Sequence, residues 1–379
     1  MKKEKSLELS IILPCRNEEK ALSKCLSSIK EVIAKNNINA EIIVSDSSTD
    51  RSPQIAKKHG VILVKHNKIG YGTAILEGLK VAKGNYILIS DSDGTYDFNE
   101  IPNFLKYLRE GYDFVIGNRF AYSLDKDSMP WLHKYIGNPL LSGILRFFFR
   151  TNIKDSHCGM RAISKEALNK LNLKTTGMEF ASEMVVKVVQ NKLKTKEIPI
   201  KYYPRLGESK LNSFKDGWRH LKFMLIYSPL FLFFIPGLIF FLIGIETMAW
   251  LYFSSPSILG IKLYYHPMFI SSILTILGYQ LIIFSFFSKI YSIIHLNEKN
   301  EFFERIIKKI TLEKSILIGT IIFILGFFIY LYIFIKWIKS GFGSLNEIKN
   351  SIVSLTLITL GIQTIFSSFM ISILSIKEK

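Results

Sequence analysis

Four long apolar runs constrain this chain more than any other feature. They extend from Ser228 to Phe253, Pro267 to His295, Ser315 to Trp337 and Ile348 to Ile376. A hydrocarbon core about 30 Å thick is crossed by roughly 20 helical residues, so each run is long enough to span it. Few ionisable groups interrupt them, Glu246 being the clearest. That argues against an ion or proton pathway, where buried charges are expected. Up to about Lys215 the 379-residue chain instead mixes charged and apolar residues as a globular domain does. An integral membrane protein with a soluble N-terminal half is expected.

Loop charges orient it. Asn297 to Lys314 carries Lys299, Arg305, Lys308, Lys309 and Lys314, the most basic loop, and is expected on the cytosolic side. The Ser254–His266 loop has only Lys262 and is expected outside, whereas the lysines of Lys336 to Lys349 obey the rule imperfectly. Four spans return the C-terminus to the cytosol. The N-terminal lysines precede an apolar stretch broken by Glu8 and too short for a signal-peptide core. Both termini and the soluble half are therefore expected in the cytosol. Three cysteines without a CxxC pair fit a reducing compartment and suggest neither disulfide nor zinc. The net charge of +18 suits anionic lipids and phosphate-bearing substrates, or reflects a lysine-rich composition. No helix-turn-helix, zinc-finger or RNP pattern is present, so nucleic acid is not an expected partner.

The first 120 or so residues alternate two periodicities. Strand-like runs lie at Leu9–Leu13, Glu41–Ser45, Gly60–Val64, Tyr86–Ser90 and Asp113–Gly117, with helical patterns at Glu18 to about Lys35 and Thr73–Ala82. Such alternation predicts βαβ units and a largely parallel sheet. Ligands of such sheets bind beyond the carboxyl ends of the strands. There the sequence places Pro14, Asn17 and Glu18, then Asp46 and Asp50, then Asp91 and Asp93, then Arg119. Two carboxylates one residue apart before Gly94 read either as a turn or as a hard-cation site. The glycines at 70, 72 and 78 open a helix whose N–H groups face a phosphate, or simply pack it closely.

Read as an ordered set, "ILPCRNEE" at 12–19, "IIVSDSSTD" at 42–50, "GYGTAILEG" at 70–78, "SDSDGTY" at 90–96, "VIGNRF" at 115–120, "DSHCGMRAISKEAL" at 155–168 and "PIKYYPRLGESKL" at 199–211 resemble family 2 glycosyltransferases of the GT-A fold. More narrowly, they resemble the polyprenyl-phosphate (dolichyl-phosphate) hexose synthases. The resemblance implies an α/β, Rossmann-like domain over 1–211, an interfacial helix over 212–226 and a four-helix membrane domain over 227–376. It implies transfer of a hexose from a UDP- or GDP-sugar to a polyprenyl phosphate, with inversion. Pro14, Glu18, Asp46 and Ser92 would hold the donor. Asp91 and Asp93 would bind Mg²⁺ or Mn²⁺ and through it the diphosphate. Arg205, assisted by Lys210, would close over the diphosphate. Arg119, with His133 and Lys134, would meet the acceptor phosphate, and Glu179 would be a positioning residue. Thr95 departs from relatives whose DxDxQ string supplies a third metal-side ligand. Water would then complete the shell.

Two segments bear on the lipid. Asn212 to Leu225 sets Phe214, Trp218, Leu221 and Leu225 along one helical face beside Lys215, Arg219 and Lys222, an interfacial pattern. Met129 to Arg150 is apolar with basic ends, and reads as a membrane-contacting segment or as a buried helix. Two other functions remain open. A processive polysaccharide synthase would carry a QxxRW string, which is absent, and a non-catalytic scaffold or flippase partner would not need the Asp91, Asp93, Arg119 and Arg205 set.

Overall fold

A computed structural model describes residues 7–122, 128–207, 213–258, 260–295 and 311–376. The chain divides into two compact units, Met1–Met224 and Leu225–Lys379. In the first, the apolar runs fold as β1 (Leu9–Cys15), β2 (Ala40–Asp46), β3 (Ile62–Lys65), β4 (Tyr86–Ile89) and β5 (Phe114–Asn118). Between them lie α1 (Leu22–Lys35), α2 (Ser52–Lys58), α3 (Tyr71–Leu79) and α4 (Ile101–Arg109). The buried side of α1, with Leu22, Cys25, Leu26, Ile29 and Val32, follows the spacing of about 3.6 residues that puts one helical stripe against a core.

After β5 come α5 (Asn138–Phe149), β6 (Arg161–Ser164), α6 (Lys165–Leu171), α7 (Phe180–Gln190), β7 (Thr195–Pro199) and α8 (Ser213–Ile226). The sheet order is β3-β2-β1-β4-β6-β5-β7. β6 runs antiparallel between β4 and β5, and the other neighbours are parallel. This is the largely parallel α/β sheet that the alternation predicts, with two strands that the sequence reading lacks.

The glycine-rich start of α3 takes the packing alternative. Gly72 N–H donates to Gly177 O and Thr73 N–H to Thr176 O, so these N–H groups are engaged by backbone and do not face a phosphate. A Cβ on Gly72 would stand 2.3 Å from Thr175 O and 2.9 Å from Phe180 Cβ. Gly72→Ala must therefore displace main chain and should destabilise the domain by about 1–3 kcal/mol. A lowered thermal-unfolding midpoint checks this. An unchanged midpoint would mean that segment 175–177 moves aside freely.

The second unit holds α9 (Ile235–Phe253), α10 (His266–His295), α11 (Leu312–Lys339) and α12 (Ile348–Leu374). Four stretches, Leu230–Phe253 and the helices at His266–Ile294, Leu312–Lys339 and Ile348–Leu374, are long and apolar enough to cross a membrane. Small residues bring them together. Gly237 and Gly244 of α9 meet α10 backbone, and Gly319 and Gly326 of α11 meet α12 backbone. Hydroxyls and amides join α10 to α12, with Gln363 Nε2 donating to Gln280 Oε1 at 2.7 Å and Ser272 bonded to Thr356 at 2.7 Å. Close backbone approach and interhelical hydrogen bonds are what hold helices together where lipid is as apolar as leucine.

Candidate active site

The carboxyl ends of β1, β2 and β4 converge. Ser92 Oγ donates to Pro14 O at 2.8 Å, fastening the turn after β4 to the end of β1. The thiol of Cys15, the last residue of β1, meets Ser48 Oγ at 3.8 Å and is within reach of the charge of Asp46 at the end of β2. The turn needs Gly94, whose φ of 82° is disfavoured for L side chains. It presents Asp93 almost fully buried. One carboxylate oxygen, Oδ1, accepts from Thr95 N at 3.1 Å and Thr95 Oγ1 at 2.6 Å. The other, Oδ2, stands 3.1 Å from Arg205 Nη1. Arg205 Nη2 in turn donates to Glu18 Oε1, so one guanidinium bridges the residues after β1 and β4.

Asp91 faces a tight wall. A Cβ at position 159 would stand 2.4 Å from Asp91 Oδ2, so only glycine leaves the carboxylate room. Burial, and next the charge of Asp93, push the Asp91 carboxyl up, opposed by Tyr71, Arg119 and Arg205. Burial and the neighbouring carboxylate thus both disfavour a charge on Asp91 in the absence of further cations. Asp46 is fully buried, and neither of its carboxylate oxygens accepts a hydrogen bond among the described residues. Lys65 Nζ lies 3.7 Å from Oδ2. A buried acceptor without a donor is costly unless a ligand supplies one.

Arg119 follows β5 and is already engaged. Its Nε and Nη2 donate to Asp155 Oδ2 and Oδ1 at 2.7 and 2.8 Å, and its backbone N–H to Oδ2 at 3.0 Å. The guanidinium lies 5.2 Å from the centre of the Tyr202 ring. The resemblance implies an arginine placed for the acceptor phosphate, and the structure holds that arginine in a buried, fork-shaped ion pair with Asp155. His133 is close enough for Arg119 to lower its pKa, after burial, and for Asp216 of α8 to raise it. Lys134 Nζ sits 5.3 Å from the ring centre of its neighbour Tyr135. Glu179 Oε1 accepts from Gly177 N at 3.2 Å, while Oε2 has no hydrogen-bond partner among the described residues.

The structure therefore brings Pro14, Glu18, Ser92, Asp91, Asp93 and Arg205 into one cluster, with Arg119 within electrostatic reach and His133 beside it. Lys210 lies outside the described residues. Thr95, which the sequence reading does not count as a metal-side ligand, donates its hydroxyl to Asp93 Oδ1 and so orients that carboxylate. Tyr71, Asp155 and Gly159 are site residues that sequence reasoning missed. Burial pushes the thiols of Cys15, Cys25 and Cys158 up to about 12, so none is a thiolate nucleophile.

Comparison with known proteins follows the same division of the chain. Residues 10–171 match Glycosyl transferase family 2, and residues 287–375 match its C-terminal transmembrane region. The crystal structure of mannosyl-3-phosphoglycerate synthase from Rubrobacter xylanophilus is similar with a TM-score of 0.48 at 18% identity, over 57% of this chain and 73% of that one. The dolichyl-phosphate hexose transferase of Haloferax volcanii is 29% identical over 55% of this chain and 89% of its own. The low-salt glycan biosynthesis hexosyltransferase Agl6 of Haloferax volcanii is 36% identical over 96% of this chain and 88% of its own. Similarity of that breadth, running through the sheet and the apolar helices alike, makes this chain a member of glycosyl transferase family 2, and so a glycosyltransferase.

Proposed function

We propose that this glycosyltransferase moves a hexose from a UDP- or GDP-sugar to a polyprenyl (dolichyl) phosphate at the cytosolic membrane face, with inversion and with Mg²⁺ or Mn²⁺. The observation that carries the reading is the buried Asp91–Asp93 pair with Arg205 bridging it to Glu18 and Arg119 within electrostatic reach. Such a site holds a polyanion in place and balances charge that grows on it. The name of the dolichyl-phosphate hexose transferase relative supports the acceptor class.

The residues fit a divalent cation. Among the described residues no group of three or more His, Cys, Asp or Glu is arranged to hold a metal ion, so the reading rests on the two carboxylates of Asp91 and Asp93. A hard cation held by one or two carboxylates, with substrate phosphates and water completing its shell, matches that supply. When bound, the cation would offset the negative charge of the departing nucleoside diphosphate. Asp46, with both oxygens lacking a hydrogen-bond partner, would accept from N–H or O–H groups of the nucleoside, beside Pro14, Glu18 and Ser92. An acceptor phosphate oxygen attacks the anomeric carbon, and the electron pair of the breaking sugar–oxygen bond leaves on the diphosphate. The nucleophile is already anionic at neutral pH, so no strong base is needed. Arg119, aided by His133 and Lys134, offsets the repulsion between the two anionic substrates. Arg205 exchanges its carboxylate partners for the diphosphate, where Lys210 assists.

Two exposed apolar surfaces support a lipid acceptor. In 129–150, Trp131 is 64% and Phe147 67% exposed, and only Met129, Ser142 and Leu145 are buried. That exposure favours the membrane-contacting reading of this segment over the buried-helix one. On α8, Phe214 is 84% and Trp218 60% exposed. Aromatic and basic residues on one helix suit a headgroup layer. We read 1–211 as the transferase domain, 212–226 as the interfacial helix and 227–376 as the membrane anchor.

The test is to incubate the protein in lipid vesicles with labelled sugar nucleotides and polyprenyl phosphate, then extract the lipid. Label in the lipid phase, lost with EDTA, supports the reading. Label in a long polymer would favour a processive synthase, and no transfer a non-catalytic role.

Arg205 also sits where a cation would compete for Asp93. Arg205→Gln should bind Mn²⁺ several-fold more tightly without nucleotide, because a tethered positive charge is gone, and yet turn over more slowly. Electron paramagnetic resonance titration of free Mn²⁺ reads this directly. Unchanged or weaker Mn²⁺ binding would mean that Arg205 and the metal do not share Asp93.

A further inference from the structure

A line of hydrogen bonds leaves the acceptor side and ends on α8. Ser142 Oγ of α5 meets Ser156 Oγ at 3.0 Å. Ser156 Oγ meets His157 Nδ1 at 3.1 Å, and His157 Nε2 meets Ser182 Oγ of α7 at 3.1 Å. Ser182 Oγ meets His220 Nδ1 of α8 at 2.8 Å. The two imidazoles also pack edge to face with centroids 4.4 Å apart. Ser142, Ser156, Ser182 and His220 are all buried. Burial holds both rings neutral, pushing His220 down to about 4 and His157 well below its ordinary value. The line therefore consists of neutral hydrogen bonds and carries no buried charge.

Two of its members, Ser156 and His157, belong to the segment that fixes Arg119. Asp155, next to Ser156, clamps the Arg119 guanidinium and backbone N–H. Glu197 Oε1 accepts from Lys154 N and Asp155 N at 2.8 Å each, and Gly159 N donates to Tyr96 O–H at 2.7 Å. These bonds tie the segment to the sheet. The His157 side chain is its link to α7 and α8. Asp216, one turn before His220, bears on His133 as well. A helix with exposed Phe214 and Trp218 on one side thus has, on the other, a polar connection to the arginine pair.

We propose that His220, Ser182 and His157 are positioning residues that set the Asp155–Arg119 pair from α8, so that acceptor use depends on how that helix is seated. The proposal rests on the acceptor-side reading of Arg119. None of the three residues needs to touch substrate. Each acts by fixing a neighbour, and a loosely held arginine fork forfeits geometry rather than charge.

Full-length protein in vesicles is assayed with polyprenyl phosphate varied at saturating sugar nucleotide. His220→Phe keeps a flat ring against His157 but removes the hydrogen bond, whereas His220→Asn places an amide near the position of Nδ1. His220→Phe should raise the acceptor KM about tenfold, a size typical of coupled neighbours, with sugar-nucleotide affinity unchanged. His220→Asn should recover most of the loss. Ser182→Ala removes a single oxygen and carries the same expectation as His220→Phe, should that variant fold poorly. Added to Arg119→Lys, His220→Phe should raise KM little further. The proposal is overturned if the Phe and Asn variants behave alike, if donor affinity falls in step with acceptor use, or if the His220 and Arg119 effects multiply. A raised KM in Arg119→Lys with a normal KM in both His220→Phe and Ser182→Ala sinks this inference alone. A normal acceptor KM in Arg119→Lys sinks the acceptor-side reading itself.

Discussion

Asp93→Asn is expected to fold normally and to lose about a hundredfold to a thousandfold in turnover, the scale of removing one aimed electrostatic partner of a developing charge. The fold should survive because the Asn carbonyl can still accept from Thr95 N and Oγ1, which hold Oδ1 at 3.1 and 2.6 Å. The loss falls on the other oxygen. An amide NH₂ in place of Oδ2 turns a donor toward Arg205 Nη1, now 3.1 Å from a carboxylate. It also removes one of the two negative charges available to a cation. Circular dichroism should match the parent, while Mn²⁺ titration and label transfer both fail. Parent-like transfer by Asp93→Asn would exclude this pair from the chemistry.

Arg119 is the second case, and the choice of variant decides what is measured. Arg119→Ala leaves Asp155 buried with its charge unpaired, which costs about 3–5 kcal/mol when one member of a buried pair is deleted. That is a sizeable share of a domain's stability of about 5–15 kcal/mol, so the Ala protein reports folding before it reports substrate. Arg119→Lys keeps a positive charge beside Asp155 but loses the planar fork that now makes two contacts. Its acceptor KM should rise about tenfold or more, with sugar-nucleotide affinity held. Isothermal titration with the donor and rates against varied acceptor separate the two. Equal loss of donor affinity would move Arg119 to the donor side.

Much of the sheet was legible because buried parallel strands are continuous apolar runs. β1, β2 and β4 fall where Leu9–Leu13, Glu41–Ser45 and Tyr86–Ser90 predict them. β6 and β7 were not legible. β6 reads Arg-Ala-Ile-Ser, and its arginine is buried only because Cys158 O and Ala181 O accept from it. β7 reads Thr-Lys-Glu-Ile-Pro at the edge of the sheet, where one neighbour suffices and charge is tolerated. In the site, residues near one another in sequence were found from motifs, as with Asp91 and Asp93. The partners that define their behaviour come from far along the chain. Asp155 reaches Arg119 from 36 residues away and Arg205 reaches Glu18 from 187. No local spacing encodes such pairs. Thr95 shows the same limit at short range, because a hydroxyl beside a carboxylate can serve a metal or the carboxylate, and only geometry decides.

The exposed apolar side chains of 129–150 and α8 mark the other gap. Their hydrophobicity was visible in the sequence, but whether it faces a core or a bilayer depends on what the sheet leaves uncovered. Trp131 and Phe214 are uncovered.

The central claim concerns which bond forms, and the lipid product answers it. Full-length protein in vesicles, given sugar nucleotide, Mn²⁺ and polyprenyl phosphate, should yield by mass spectrometry a lipid carrying one phosphate and one hexose. Nucleoside diphosphate should appear in equal amount. A lipid bearing two phosphates would show transfer of sugar phosphate rather than sugar, and hexose released to water would show that lipid is not the acceptor. Either result contradicts the account.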